Sequence, residues 1–361
     1  MKAVMTVRGP IAPEELGVTL MHEHLELDLS VYFEEDPAAP ELRDAPVSIE
    51  LLHRLRRRPF GTTRDNMTLG GVEIVADEIQ RFLDAGGRSI CEVSTIGMGR
   101  DPIALKALSE RTGVNVVMGG GLYIDPSHPA WTRDKSIDEL ADLFARDVLE
   151  GVDGTGIRSG IIGEIGTSAV PGSDGAVQVT PSEEKALRAA ARAGLRTGAA
   201  VSVHLAITGY GAHRAIDILE DEGLPVDRMV MGHMDTFEDL DYHLAVAERG
   251  VYVEYDCLGR EYWTDELGHR PWGHDSWRVR FISELVARGY GSRLLLSQDI
   301  ALKFDLCQFG GVGYAHVPNV IVPMLRRHRV SDQDIRRMLV DNPREVLTID
   351  VDGEKLVPAA G

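Results

Sequence analysis

AAVSVHLAITGYGAHRAIDILEDEGLPVDRMVMGH, residues 199–233, reads as one complete strand–helix–strand unit. AAVSVHL (199–205) and DRMVMGH (227–233) are short apolar runs, and residues 211–222 between them place apolar side chains at helical spacing. Both runs are nearly continuous instead of alternating, the pattern of a parallel strand covered on both faces. The unit recurs in both directions. Upstream, strands are predicted at 88–94 (RSICEVS), 114–120 (VNVVMGG) and 159–166 (SGIIGEIG), with helices at about 71–85, 101–112, 136–150 and 181–194. Downstream follow a helix at 238–248, a strand at 250–256 (GVYVEYD), a helix at 276–288, a strand at 292–299 (SRLLLSQD) and closing helices from about 316. With the run that begins at residue 18 the count is eight strands. Eight strand–helix units with no Gly-, Ser- or Pro-rich linker predict an α/β protein, a (β/α)8 TIM barrel in one domain over 1–361, and disfavour a doubly wound open sheet.

Two regions fall outside the repeat. Residues 3–20 predict a short N-terminal β-hairpin, AVMTVRG turning at GPIAPEELG into VTLMHEH, with Gly9-Pro10 as the turn signal. A polar stretch from about Asp28 to Leu69 has a helical pattern only near Ile49–Arg57, and loops of that length are usually functional.

Composition excludes several classes. The 361 residues are 43% hydrophobic and carry a formal net charge of −19, which argues against a sequence-independent hold on nucleic acid or anionic membrane. The one dense basic cluster, Arg54 to Arg58, is interrupted by Leu55 and reads as a solvated helix face. Cys91, Cys257 and Cys307 are widely separated, so neither a disulfide framework nor a thiolate zinc cluster is expected, and a reducing cytoplasm fits. The N-terminus has no apolar signal core, and no window approaches about 18 uninterrupted apolar residues. A cytoplasmic protein is the expectation.

The chemistry gathers at strand ends. In GVTLMHEHLE (17–26), His22 and His24 lie two apart on a strand and share a face, so both imidazoles can meet one ion while Glu23 points away. Glu164 falls near the end of strand 4, His204 near the end of strand 5, His233 at the end of strand 6 and Asp299 at the end of strand 8. In this fold those ends form the active-site face. One zinc usually takes about three protein ligands at a catalytic site or four at a structural one, so six donors imply two metals with a shared bridge.

This constellation, together with DLCQFGGVGYAHVPN at 305–319 and DNPREVL at 341–347, resembles the phosphotriesterase-like branch of the amidohydrolase superfamily, over essentially the whole chain. The resemblance implies that His22, His24 and Asp299 hold the more buried ion, and His204 and His233 the more exposed one. Phosphotriesterase itself bridges its metals with a carboxylated lysine from strand 4, whereas this chain has Glu164 there, as in the phosphotriesterase-related proteins. That departure weakens the link to organophosphate hydrolysis but leaves the metal site intact. Two divalent ions, zinc first with manganese or cobalt as alternatives, would lower the pKa of a shared water and polarise the bond under attack. Asp299 is placed to take the proton as well as to ligate.

Substrate contacts are read from the same rim. Tyr123 in GGGLYIDP matches a family tyrosine beside the pocket, and Lys303 and Arg260 sit where they could grip a carboxylate or phosphate. Residues 259–277, with Trp263, Trp272 and Trp277, form a candidate lid. The expected activity is binuclear hydrolysis of a carboxylic ester, lactone or amide bond in a small molecule. The alternatives are a phosphotriesterase or organophosphate hydrolase, a mononuclear metal-dependent lyase such as a decarboxylase, and a non-catalytic metal-binding protein. Relatives are commonly homodimers.

Overall fold

A computed structural model of the chain describes residues 1–171, 177–207, 210–264 and 270–351. Eight parallel strands form its centre: β1 (Thr19–Glu23), β2 (Ser89–Glu92), β3 (Asn115–Met118), β4 (Ile162–Gly166), β5 (Val201–His204), β6 (Met229–Met231), β7 (Tyr252–Tyr255) and β8 (Leu294–Leu296). Continuous ladders run through β1–β2–β3 and through β4–β5–β6–β7–β8. The two arcs meet at both edges through backbone hydrogen bonds. At the first seam the Gly160 N–H donates to the Met118 carbonyl at 2.9 Å, and the Gly163 N–H to the Gly120 carbonyl at 2.6 Å. Gly163 has φ 134°, and a Cβ there would lie 2.3 Å from the Ser202 carbonyl oxygen, so only glycine lets the backbones approach this closely. At the second seam the Asp299 N–H donates to the His22 carbonyl at 3.2 Å. The expected barrel is present.

Helices α1 (Val72–Asp84), α2 (Pro102–Thr112), α3 (Ile137–Leu149), α4 (Pro181–Thr197), α5 (Ala212–Asp221), α6 (Leu240–Glu248) and α7 (Asp275–Ala287) alternate with the strands from β1 to β8. Their ends follow local chemistry. Ser136 with Glu139, and Thr180 with Glu183, form capping boxes, and Gly113 and Gly198 close α2 and α4 in the left-handed conformation. On α1 the buried Val75, Ala76, Ile79 and Phe82 make the apolar stripe that faces the strands.

Strand alternation divides the core in two. Ile90, Val116, Val201, Val203, Met229 and Val253 pack outward with helix residues, whereas Met21, Val117, Ala200, Val230, Tyr252 and Leu295 pack with one another inside the barrel.

The N-terminal hairpin is tighter than expected. Lys2–Thr6 pairs with Gly9–Ile11 around a turn at Thr6–Gly9, and with Thr348–Asp350 on its other edge. VTLMHEH is not its second arm, because those residues gain more burial as the first barrel strand, where all of Thr19–Glu23 is inaccessible. The small sheet sits under the barrel instead, with Val4 and Leu16 joining the interior core from below.

The three cysteines are unpaired. Residues 28–69 form short turns and one four-residue α-helix, Leu52–Leu55, between ends that pair antiparallel as Leu27–Asp28 with Thr68–Leu69; Leu55 is buried, and Arg54 and Arg58 lie within 3.3 and 3.6 Å of Asp36. Among the described residues no helix is long and apolar enough to cross a membrane.

Candidate active site

The strands deliver the ligand-type residues to one mouth, but not all by simple alternation. Ala200, just before β5, and Ser202 and His204 within it follow one face in order, ending at the mouth. In β1 the register with β2 slips between Leu20 and Glu23, so His22 and His24 face inward although Met21 below them does too. His233 (φ 57°) and Asp299 (φ 52°) lie just beyond β6 and β8 in the left-handed region, which side chains other than glycine seldom adopt. Those turns bring both side chains into the mouth.

Glu164 stands at the centre. Its Oε2 lies 3.2 Å from His22 Nε2, 3.0 Å from His204 Nδ1 and 3.6 Å from His233 Nε2, and its Oε1 lies 3.4 Å from His24 Nε2. Asp299 Oδ1 is 3.3 Å from His24 Nε2 and 4.0 Å from His22 Nε2. All six predicted ligand residues are therefore brought together. His22 is fully buried while His204 is 8% exposed and lines the cavity above, so the cluster has an inner and an outer side.

A second set of groups holds these rings from behind. His22 Nδ1 faces Glu254 at 3.1 Å and Asp256 at 3.3 Å, and His233 Nδ1 faces Asp256 at 2.9 Å. His24 Nδ1 meets Ser94 Oγ at 2.8 Å, whose hydroxyl donates to Glu92 at 2.5 Å. Such partners fix the tautomer and orientation of a ligating imidazole. Glu254 and Asp256 are absent from the sequence reading as functional residues, although their spacing in YVEYD puts them on one face with Tyr252.

Charge is concentrated and desolvated here. Burial alone would strip protons from His22 and His233, yet Glu164 and Asp256 beside the first, and Asp256 beside the second, hold both well above the ordinary imidazole range. Burial would raise Glu164, but His22 and His204 keep it well below the usual carboxylate range. For Asp299, burial is outweighed by Arg260 and His24, which hold it well below that range. Carboxylates thus pull positive charge onto the cluster, a demand that divalent cations satisfy.

The donor set fits such ions. His22 Nε2 is buried without a hydrogen-bond partner among the described residues and faces Glu164 and Asp299. His22, His24 and Glu164 could share one ion, and Glu164, His204 and His233 another. Nitrogen and oxygen donors without thiolate suit zinc, manganese or cobalt.

Above the cluster lies a cavity of about 350 Å³. Leu29, Phe60, Met98, Ile124, Ile207 and Trp272 give it apolar walls, and Tyr32, Tyr123, Arg260 and Asp299 its polar points. The Tyr123 hydroxyl is 3.3 Å from His204 Nε2 and accepts the Tyr32 hydroxyl at 3.1 Å. Arg260 is buried, with Nη1 3.1 Å from Asp299 Oδ2 and Nη2 3.6 Å from Asp305.

Lys303 lands elsewhere. Its ammonium pairs with Asp65 and does not line the cavity, because the 28–69 segment folds over the rim and meets it there. Of the candidate lid, Trp272 lines the cavity, while Trp277 packs on α7 against Phe281 with ring centroids 5.1 Å apart. Residues 265–269 and the Trp263 side chain lie outside what is described.

Comparison with known proteins agrees with this architecture. The model of the Phosphotriesterase family matches residues 2–347. An N-acetyltaurine hydrolase of Xenopus tropicalis is 36% identical over 350 residues, covering 96% of this chain and 97% of that one. A resiniferatoxin-binding protein from Rhodobacter sphaeroides superposes with a TM-score of 0.90 at 40% identity, over 96% of this chain and 94% of its own. A lactonase from Listeria monocytogenes gives 0.76 at 25% identity, over 96% and 99%. The eight-stranded barrel, the convergent histidines and carboxylates, and a family match over nearly the full length place the chain in the phosphotriesterase family of hydrolases.

Proposed function

We propose that this hydrolase works with two divalent ions, zinc first and manganese or cobalt as alternatives, to cleave a carboxylic ester, lactone or amide bond of a small molecule. The observation that carries the reading is Glu164, one carboxylate with all four imidazoles within 3.0 to 3.6 Å of its oxygens. His22, His24 and Asp299 would hold the inner ion and His204 and His233 the outer one, with Glu164 between them. When bound, such ions make water acidic near neutral pH and polarise an acyl oxygen.

The chain's own groups do the rest. Asp299 accepts a proton at its carboxylate and passes it on, and the Arg260 guanidinium at 3.1 Å holds that carboxylate in place. Tyr123 orients the substrate from beside His204, and the apolar walls take up its carbon skeleton and exclude water. Two nitrogens of Arg260 face Asp299 and Asp305, so its positive charge is matched by two carboxylates. A cavity-lining guanidinium matched in this way suits a neutral carbonyl or ether oxygen better than an anionic tail. Similarity to N-acetyltaurine hydrolases supports an amide bond and similarity to a lactonase a lactone.

The test is chelation followed by reconstitution. Stripped protein is expected to be inactive on a panel of lactones, N-acyl amines and a phosphotriester, with lactone or amide hydrolysis restored by two equivalents of metal. Hydrolysis that survives chelation, or restoration of phosphotriester cleavage or decarboxylation alone, would overturn this reading.

A further inference from the structure

Glu23, the last residue of β1, sits between His22 and His24 and takes no part in the ligand cluster. It is fully buried, turned away from the imidazoles, and crosses the seam where β8 meets β1. Its Oε1 accepts the Ser297 hydroxyl at 2.7 Å and the Gln298 N–H at 2.8 Å, and its Oε2 accepts the Ile300 N–H at 2.9 Å. These donors flank Asp299 on both sides in sequence. Ser297 also accepts the His22 N–H at 3.0 Å through the same Oγ.

The geometry makes this more than a general fold contact. No ladder joins β8 to β1 among the described residues, so the strand carrying Asp299 is tied to the strand carrying His22 and His24 by few bonds. Asp299 itself is in the left-handed region at φ 52°, a conformation that its neighbours must impose. A carboxyl group with two oxygens is the group that can accept from an O–H and two N–H donors together.

We infer that Glu23 is a positioning residue for the metal centre: by gripping the backbone on either side of Asp299, it holds that carboxylate at the height of His22 and His24. The inference rests on the reading that these three hold an ion. Alanine at this position would leave buried donors unpaired and risk the fold. Glutamine keeps the length and turns one acceptor into a donor that meets an N–H or O–H.

Four readouts on Glu23→Gln test it. In metal-stripped protein, hydrogen–deuterium exchange should accelerate in the peptide spanning 294–302 and stay unchanged in 199–231. In zinc-loaded protein, release to a chelator should quicken by roughly 10- to 100-fold, the usual effect of losing a group that orients a ligand. Turnover should fall through kcat with KM little moved, and the visible spectrum of cobalt-loaded protein should change. A Glu23→Gln protein that exchanges faster yet releases metal and turns over at the wild-type rate would overturn the inference, leaving Glu23 a staple of the fold only. Should that variant not fold, Ser297→Ala removes the hydroxyl joining Glu23 to the His22 N–H; faster release there supports the inference and wild-type release contradicts it. Wild-type protein that takes up no divalent ion contradicts the metal reading itself, whereas a loaded wild type and an equally retentive variant contradict the role of Glu23 alone.

Discussion

The floor and the mouth of the barrel are built by the same strands and have opposite chemistry. At the floor Met21, Val117, Ala200, Val230 and Leu295 interlock as an apolar layer, closed from below by Val4, Leu16, Val346 and Leu347. A few residues further along, the same strands present His22, His24, Glu164, His204, Glu254 and Asp299, all buried and ionisable. Strand 7 shows the change most compactly: Tyr252 belongs to the floor, while Glu254 and Asp256 reach the outer faces of His22 and His233. Apolar burial drives folding, whereas desolvated charges oppose it unless they are paired. The dry layer therefore sets the heights of the strands, and the mouth uses those heights to bring charges together. Stability and chemistry should be separable along the barrel axis.

The largest effect is expected at the centre of the mouth. Glu164→Gln replaces the shared anion with a neutral amide, and the variant should lose metal and with it nearly all hydrolysis, as read by elemental analysis and assay. Added bicarbonate should leave the wild-type protein unaffected, since no lysine needs carboxylation. Next comes Asp299→Asn, which keeps one oxygen donor but removes the base; the expected loss is about 10²- to 10⁴-fold in rate with metal retained. His233→Ala is its control, because metal content should fall first and activity as a result.

At the floor, Leu295→Ala should cost about 2–5 kcal/mol of stability by urea unfolding. Activity per folded molecule and metal content should not change, and if they do, floor and mouth are not separable. A subtler effect concerns pH. Burial raises Asp299, but Arg260 together with His24, His233 and His22 holds it below the ordinary carboxylate range, so Arg260→Met removes one of these and lets it rise. In the proposed role Asp299 acts as a base only when deprotonated, so the acidic limb of the rate profile should move to higher pH, with activity lost first on the acid side. An unmoved limb would mean that another group sets it. Lys303→Gln should change the kinetics least, because its ammonium faces Asp65 and not the cavity.

How much of this was legible in the sequence differs between regions. Helices whose apolar stripe and caps agree, such as α3 with Ser136 and Glu139, match prediction to within a residue or two. The strands of the repeat are legible because two-sided burial leaves an apolar run. The hairpin was misread because VTLMHEH suits either a hairpin arm or a barrel strand, and only tertiary burial decides. The candidate ligands could be found by position, at strand ends, but the routes by which His233 and Asp299 enter the mouth could not, since left-handed turns carry no signal at residues other than glycine. Glu254 and Asp256 were findable from their spacing. The cavity walls from 28–69, Leu29, Tyr32 and Phe60, were not, because loop residues reach their places without periodicity. Lys303 shows the same limit in reverse: its partner, Asp65, is 238 residues away.

The central claim, that the mouth holds two ions on one shared carboxylate, is tested most directly by counting metal per chain in wild-type and Glu164→Gln protein loaded and dialysed side by side. The account predicts about two divalent ions per wild-type chain, the number implied by the donor set, and fewer in the variant. A fully active wild type with a single ion per chain, or a Glu164→Gln protein that retains two, would contradict it.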